Sequence, residues 1–197
     1  EQKKKIQGQL DIGLDDEGFR QSLKIRDALK DYKPTLIFCS PLKRSQATIE
    51  PLVKEKKCAI IYSRHLLERK FGVVEGMALN EMNLKCNQEK RKLLLQTENP
   101  TYSPKGGESL KDVEKRVLMF LMLLQKQTFL NNVVCMTHGG FLNVLYKTVK
   151  QIPLNTKRDW NIPNAAFFHL EIMTKENKII KWADTDHLNT RSVLDEN

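Results

Sequence analysis

The sequence predicts an α/β domain, with a mostly parallel central sheet, helices on both of its faces and an antiparallel hairpin at one end. Two observations carry this. Thr35 to Cys39 and Asn132 to Thr137 are apolar stretches of strand length, each passing directly into a helical pattern through Ser40-Pro41 or His138-Gly139-Gly140. Strands that read as apolar runs without alternation belong to sheets covered on both faces, and strand-helix alternation connects neighbouring strands in parallel.

The elements follow in order. Asp15 is the expected N-cap of a first helix, with acidic residues in its first turn and Gly18, Ser22, Ile25 and Leu29 along one stripe. After the Thr35–Cys39 strand, Ser40 as N-cap and Pro41 at the first helical position should open a helix to about residue 56. Cys58 to Tyr62 is a short strand, Ser63 to Met77 has no clear period, and 78–96 reads as helical. Asn99 to Gly107 is a loop by its turn residues. Ser109 with Asp112 resembles a capping box for a helix bearing Val113, Val117, Phe120, Leu121 and Leu124 on one face. Beyond His138-Gly139-Gly140 a helix carries Phe141, Leu142, Leu145 and Val149; residues from Ala166 to Ile172 then alternate, turn at 174–177, and return as a strand near Lys178 to Ala183.

With 197 residues, 40% hydrophobic and 29% charged, the chain reads as a single domain over 1–197 and not as a low-complexity or largely disordered protein. No run of about 18 apolar residues suggests a membrane span, and no apolar signal segment follows Glu1-Gln2-Lys3-Lys4-Lys5. Cys39, Cys58, Cys86 and Cys135 have no C-x-x-C spacing, so they are expected to be reduced, mostly buried thiols in a cytoplasmic protein. The net charge of +9 is spread along the chain, which favours a lysine-rich solvated surface over a nucleic-acid patch. An expected partner is a small anionic metabolite.

Sites in sheets of this kind lie outside the carboxyl ends of the strands, and two strand ends here offer Arg44 and His138. A guanidinium in the first turn of a helix suits a phosphate, although alone it also reads as an ordinary surface arginine. His138 stands where an apolar strand meets glycines; a hydrogen-bonded core histidine is the competing reading. Glu68, in Leu67-Glu68-Arg69-Lys70-Phe71-Gly72, reads alone as a surface carboxylate, but near a bound phosphate it would be pushed toward its protonated form and could protonate a leaving oxygen. Cys39 and Arg44 are spaced C-x4-R, not the C-x5-R of a cysteine phosphatase loop. His65, His138, His169 and His187 are scattered, so no metal motif appears and no cofactor is called for.

These segments together resemble the histidine phosphatase superfamily, with its phosphoglycerate mutase-like fold. The resemblance rests on Gln7-Gly8 with Leu14 to Gly18 and Gln21, on Cys39 to Arg44 with Thr48, and on Leu67 to Gly76. It continues through Gly107-Glu108-Ser109 and Thr137 to Gly140, five stretches in the right order. Within the superfamily, Glu68 to Gly76 and Asp186-His187-Leu188-Asn189 look most like the fructose-2,6-bisphosphatase-type branch. The resemblance implies phosphomonoester hydrolysis through a phosphohistidine. Arg44 and His138 would hold the phosphoryl oxygens, Glu68 would protonate the leaving alcohol and then activate water, and Gln7, Gly8 and Gly139 would line the substrate pocket, with no metal or cofactor. Phe71 stands where the mutase branch commonly has a substrate-contacting Tyr, which counts against mutase activity.

The family's Arg-His-Gly signature, which carries the nucleophile at the end of the first strand, would precede Gln7, and none of the six residues there is His. Two expectations follow: a hydrophobic strand and that turn lie upstream of Glu1, or the protein is an inactive relative that binds a phosphorylated ligand or a protein. A basic nucleic-acid-binding domain is a third class, and would show affinity falling steeply with salt.

Overall fold

The computed structural model describes residues 5–78, 99–126, 132–174 and 176–189. The expected 78–96 helix and Cys86 lie outside the described residues, apart from Ala78, which bridges to Lys5. Helix α1 spans Asp16–Ala28, with the Asp15 carboxylate accepting from the Gly18 amide at 2.8 Å and Ser22 and Ile25 buried, as the stripe predicts. Strand β1 (Leu36–Cys39) leads into α2 (Lys43–Lys56) and then β2 (Ile60–Tyr62). Single 3-10 turns at Arg64–Leu66 and Gly72–Val74 interrupt the irregular stretch before α3 (Leu110–Lys126). Strand β3 (Val133–Met136), α4 (Gly139–Val149), β4 (Phe167–Glu171) and β5 (Lys178–Asp184) complete the chain, with a 3-10 turn at Asp186–Asn189.

The start of α2 differs from the expectation. Its N-cap is Leu42, in extended backbone and without a side-chain cap bond, not Ser40. The exposed amide of Lys43 is instead taken by Asp11 Oδ1 at 2.8 Å, a carboxylate from a loop distant in sequence. An acceptor there satisfies an orphan N–H and the helix dipole together. Ser40 is thereby left for another partner.

Strands β2, β1 and β3 form a parallel sheet in that order, with Cys39 opposite both Tyr62 and Met136. The side chains of β1 alternate between two cores. Phe38 packs with Val113, Val117, Phe120, Phe141 and Val144 of α3 and α4, while Ile37 and Cys39 pack with Ile49 and Leu52 of α2. Helices therefore cover both faces, as an apolar strand without alternation requires.

The hairpin forms a sheet of its own, β4 and β5, antiparallel with shifts of register on either side of His169. It is held through helices: Gln125 Nε2 of α3 donates to Met173 O at 2.9 Å, Lys24 Nζ of α1 donates to Leu188 O at 2.9 Å, and Leu170 and Ile172 pack against the α3/α4 core. Among the described residues β3 pairs with β1 alone, so its outer edge carries no strand. The expectation of a mostly buried Cys135 is corrected on that account: it lies on the edge strand and is exposed, whereas Cys39 is fully buried and Cys58 half-buried. Among the described residues no helix is long and apolar enough to cross a membrane.

Candidate active site

Because β1 and β3 are adjacent and parallel, the turns that follow them emerge together at one end of the sheet. Arg44 sits in the first turn of α2, where Nη2 donates to Gly8 O at 2.7 Å and Nη1 to Leu10 O at 2.9 Å. Gly8 has φ +52°, and a Cβ there would collide with the Glu75 carboxylate, so this turn needs glycine. Glu75 Oε1 accepts from Gln9 N at 3.0 Å and Phe71 N at 2.8 Å, locking the two irregular segments together.

His138, only 9% exposed, is the N-cap of α4. Its Nε2 lies 2.8 Å from Ser40 Oγ and 3.1 Å from Ser45 Oγ, the partner that Ser40 keeps in place of a helix cap. Burial, reinforced by the positive charges of Arg44 and Arg116, pulls the imidazole down to a pKa of about 3, so the ring is neutral at physiological pH. An incoming phosphate would reverse the sign of the local field and favour the protonated ring.

Glu68 reaches the same place from the opposite segment. Its Oε1 accepts from Arg69 N at 2.6 Å and its Oε2 from Gly140 N at 3.1 Å. Burial raises its pKa above the usual carboxylate value, and those two amides together with Arg44 and Arg116 oppose the rise. At Gly140 a Cβ would run into the Glu68 carboxylate, whereas at Gly139 the nearest atom would be Ile162 Cγ2 at 3.9 Å. The Gly-Gly pair is therefore asymmetric: the second glycine makes room for Glu68, and the first opens the helix.

Cys39 is no nucleophile. It is wholly buried, its Sγ faces Ser40 O at 3.1 Å, and burial pushes the thiol up to about 12. Gln7 is exposed and its side chain makes no hydrogen bond among the described residues; Gln9, two residues on, donates from Nε2 to Glu68 O at 2.8 Å. Three further residues, Arg116, Glu108 and Arg69, to which the sequence assigned no role, brace the Glu68 segment. Arg116 grips Glu108 bidentately at 2.8 and 2.9 Å and donates to the carbonyls of His65 and Leu67. Arg69, 2% exposed, donates twice to Glu108 O. The sequence signals for this brace were an Arg at 116 on an otherwise apolar helix face and the motif stretches that contain Arg69 and Glu108. No metal-ligating cluster occurs among the described residues.

The profile described as "Histidine phosphatase superfamily (branch 1)" matches residues 1–185. The chain belongs to the histidine phosphatase superfamily. As a member it is a hydrolase, and its homologues include named phosphatases. It is 28% identical over 192 residues to the metal-independent phosphoserine phosphatase of Arabidopsis thaliana, covering 96% of this chain and 79% of that one. It is 34% identical over 116 residues to the fructose-2,6-bisphosphatase TIGAR of Bos taurus, covering 56% of this chain and 41% of that one. Among solved structures, Bacillus stearothermophilus YhfR shares the fold with a TM-score of 0.82 at 21% identity, over 93% of this chain and 91% of the other.

Proposed function

We propose that this histidine phosphatase hydrolyses phosphomonoesters of small sugar-phosphate-like metabolites, fructose bisphosphates among them, through a phosphohistidine. The convergence of Arg44, Glu68 and His138 from three separate segments on one end of the sheet carries this reading. Arg44 and His138 hold the phosphoryl oxygens as charge develops on them. The nucleophilic nitrogen bonds to phosphorus as the P–O bond to the leaving alcohol breaks, and Glu68, held toward its neutral form by burial, gives that oxygen its proton. Water then attacks phosphorus, Glu68 takes the proton back, and orthophosphate and the free imidazole are released.

The nucleophile is none of His65, His138, His169 or His187 by position, and we assign it to a strand preceding Gln7. The outer edge of β3, which carries no strand among the described residues, supports this, because a parallel strand added there would end beside His138 and the Gly8 turn that Arg44 holds. The free thiols and the absence, among the described residues, of a helix able to cross a membrane support action in the cytoplasm on a dissolved metabolite. At Phe71 an apolar ring lies under Arg69 at 5.3 Å in place of a tyrosine hydroxyl, which supports hydrolysis over mutase activity.

The test is the leaving group. In full-length protein Glu68→Gln should slow hydrolysis of alkyl phosphates by about 10² to 10³, and of p-nitrophenyl phosphate by less than about tenfold. Equal slowing of both removes Glu68 from the proton-donor role, and a wild-type protein that forms no acid-labile phosphoenzyme leaves only a ligand-binding role.

A further inference from the structure

Resting on the phosphatase reading, we propose that the leaving half of the substrate carries its own negative charge, and that Arg158 and Lys147 read it in the cavity beside Glu68. That cavity has a volume of about 340 Å³, at the small end of ligand sites and suited to a few-carbon alcohol. It is walled by Phe71 and Gly140, by Asn143 and Lys147 farther along α4, and by Thr156 and Arg158 on the loop that follows. Gly140 places it: the same residue whose amide binds Glu68 Oε2 forms one wall, so the cavity begins where the leaving oxygen takes up its proton.

The charge of the lining is one-sided. It includes Arg69, Lys147 and Arg158 and no carboxylate. Arg69 is committed to Glu108 O. Lys147 is fixed at the wall by donating to Leu154 O and Thr156 O, each at 2.7 Å, with the Trp160 ring 5.8 Å away, and one ammonium proton is left over. Arg158 is exposed where it lines the cavity and has no hydrogen-bond or ion-pair partner among the described residues. A planar guanidinium whose donors are unspent among the described residues, lining the same cavity as a pinned ammonium, matches a carboxylate or a second phosphate. Asn143 lines the same cavity. The ligand chemistry is thus a second acidic group on the leaving alcohol.

The experiment pairs substrates that differ only in the distal group, using full-length protein: 3-phosphoglycerate against glycerol 3-phosphate for the carboxylate, and fructose 2,6-bisphosphate against fructose 2-phosphate, both read as release of the C2 phosphate, for the second phosphate. The anionic member of one pair should be preferred at least about tenfold in kcat/KM, and the pair that shows this names the anion. Arg158→Gln should collapse the preference through KM, and Arg158→Lys should restore part of it. Equal kcat/KM within both pairs, or a preference that survives Arg158→Gln, overturns the proposal. Should the wild type turn over no monoester, p-nitrophenyl phosphate included, the phosphatase reading fails on its own. Calorimetric Kd values for the same pairs then decide the cavity, and equal affinities overturn it.

Discussion

The two strand-turn-helix units, β1–α2 and β3–α4, are one device used twice in opposite surroundings. Strand β1 is paired on both edges and buried on both faces, with Ile37 and Cys39 at 0% exposure and Phe38 at 3%. Strand β3 is paired on one edge, its residues half-buried and Cys135 exposed, yet its turn holds His138 at 9% exposure. Burial of the site residue does not follow from burial of its strand. Arg44 is placed by a helix whose first amide is capped from afar by Asp11, and His138 by serines from the neighbouring unit. Each unit is completed by contacts from outside itself.

The largest test of this difference is at the two polar anchors. Arg44→Ala should lower kcat/KM by about 10² to 10³, and it should also free the Gly8 and Leu10 carbonyls, so that exchange of amides in the 8–11 turn quickens. Retained activity with a loosened turn would make Arg44 a structural brace only. Next come the strands. Ile37→Ala should cost about 2–5 kcal/mol in denaturant unfolding and Val133→Ala about 1 kcal/mol, because only the first leaves a cavity enclosed on all sides. Equal costs would show that β3 is covered as completely as β1 in the protein in solution.

The glycines sharpen the comparison further. Gly140→Ala should displace the Glu68 carboxylate and slow turnover of alkyl phosphates about 10- to 100-fold, while Gly139→Ala should stay within about threefold of wild type, since a methyl group there meets only Ile162 at van der Waals distance. Reversal of that order would place the reacting groups on the other side of the α4 start. A further effect concerns pH. The unfolded chain's imidazole titrates near 6.5 and the folded one at about 3. The unfolded state therefore takes the proton first as pH falls, and the stability contributed by neutral His138 is whole above 6.5 and lost progressively down to about 3. That loss should amount to at most a few kcal/mol. Thermal melts should show a shallower acid slope for His138→Asn than for the wild type, and identical slopes would mean that water reaches the ring.

The apolar stretches at 35–39 and 132–137 made the parallel strands legible, since a run without alternation has to be covered on both faces, and Phe38 and Ile37 are. The Asp15 and Ser109 caps were equally local, and both appear: Ser109 Oγ accepts from Asp112 N while the Asp112 carboxylate accepts from Ser109 N. The Ser40 cap was misjudged because a serine hydroxyl can serve a helix end or an imidazole, and only the neighbouring strand shows which. Gln9 and Arg116 escaped notice for the same reason, as their partners lie 59 and about 50 residues away.

By itself, then, the sequence determined whatever depends on neighbours along the chain: which segments are strands or helices, and which polar residues stand at strand ends. Tertiary structure alone decided which groups face each other. It brought Glu68 onto the Gly140 amide, gave His138 to Ser40 and Ser45, lent Asp11 to α2, and set Arg158 in the lining of a cavity without a carboxylate. The physical reason is range. Propensities and caps act within about one turn of chain, whereas desolvation and charge act through space, and the field at an atom is set by whatever the fold packs around it.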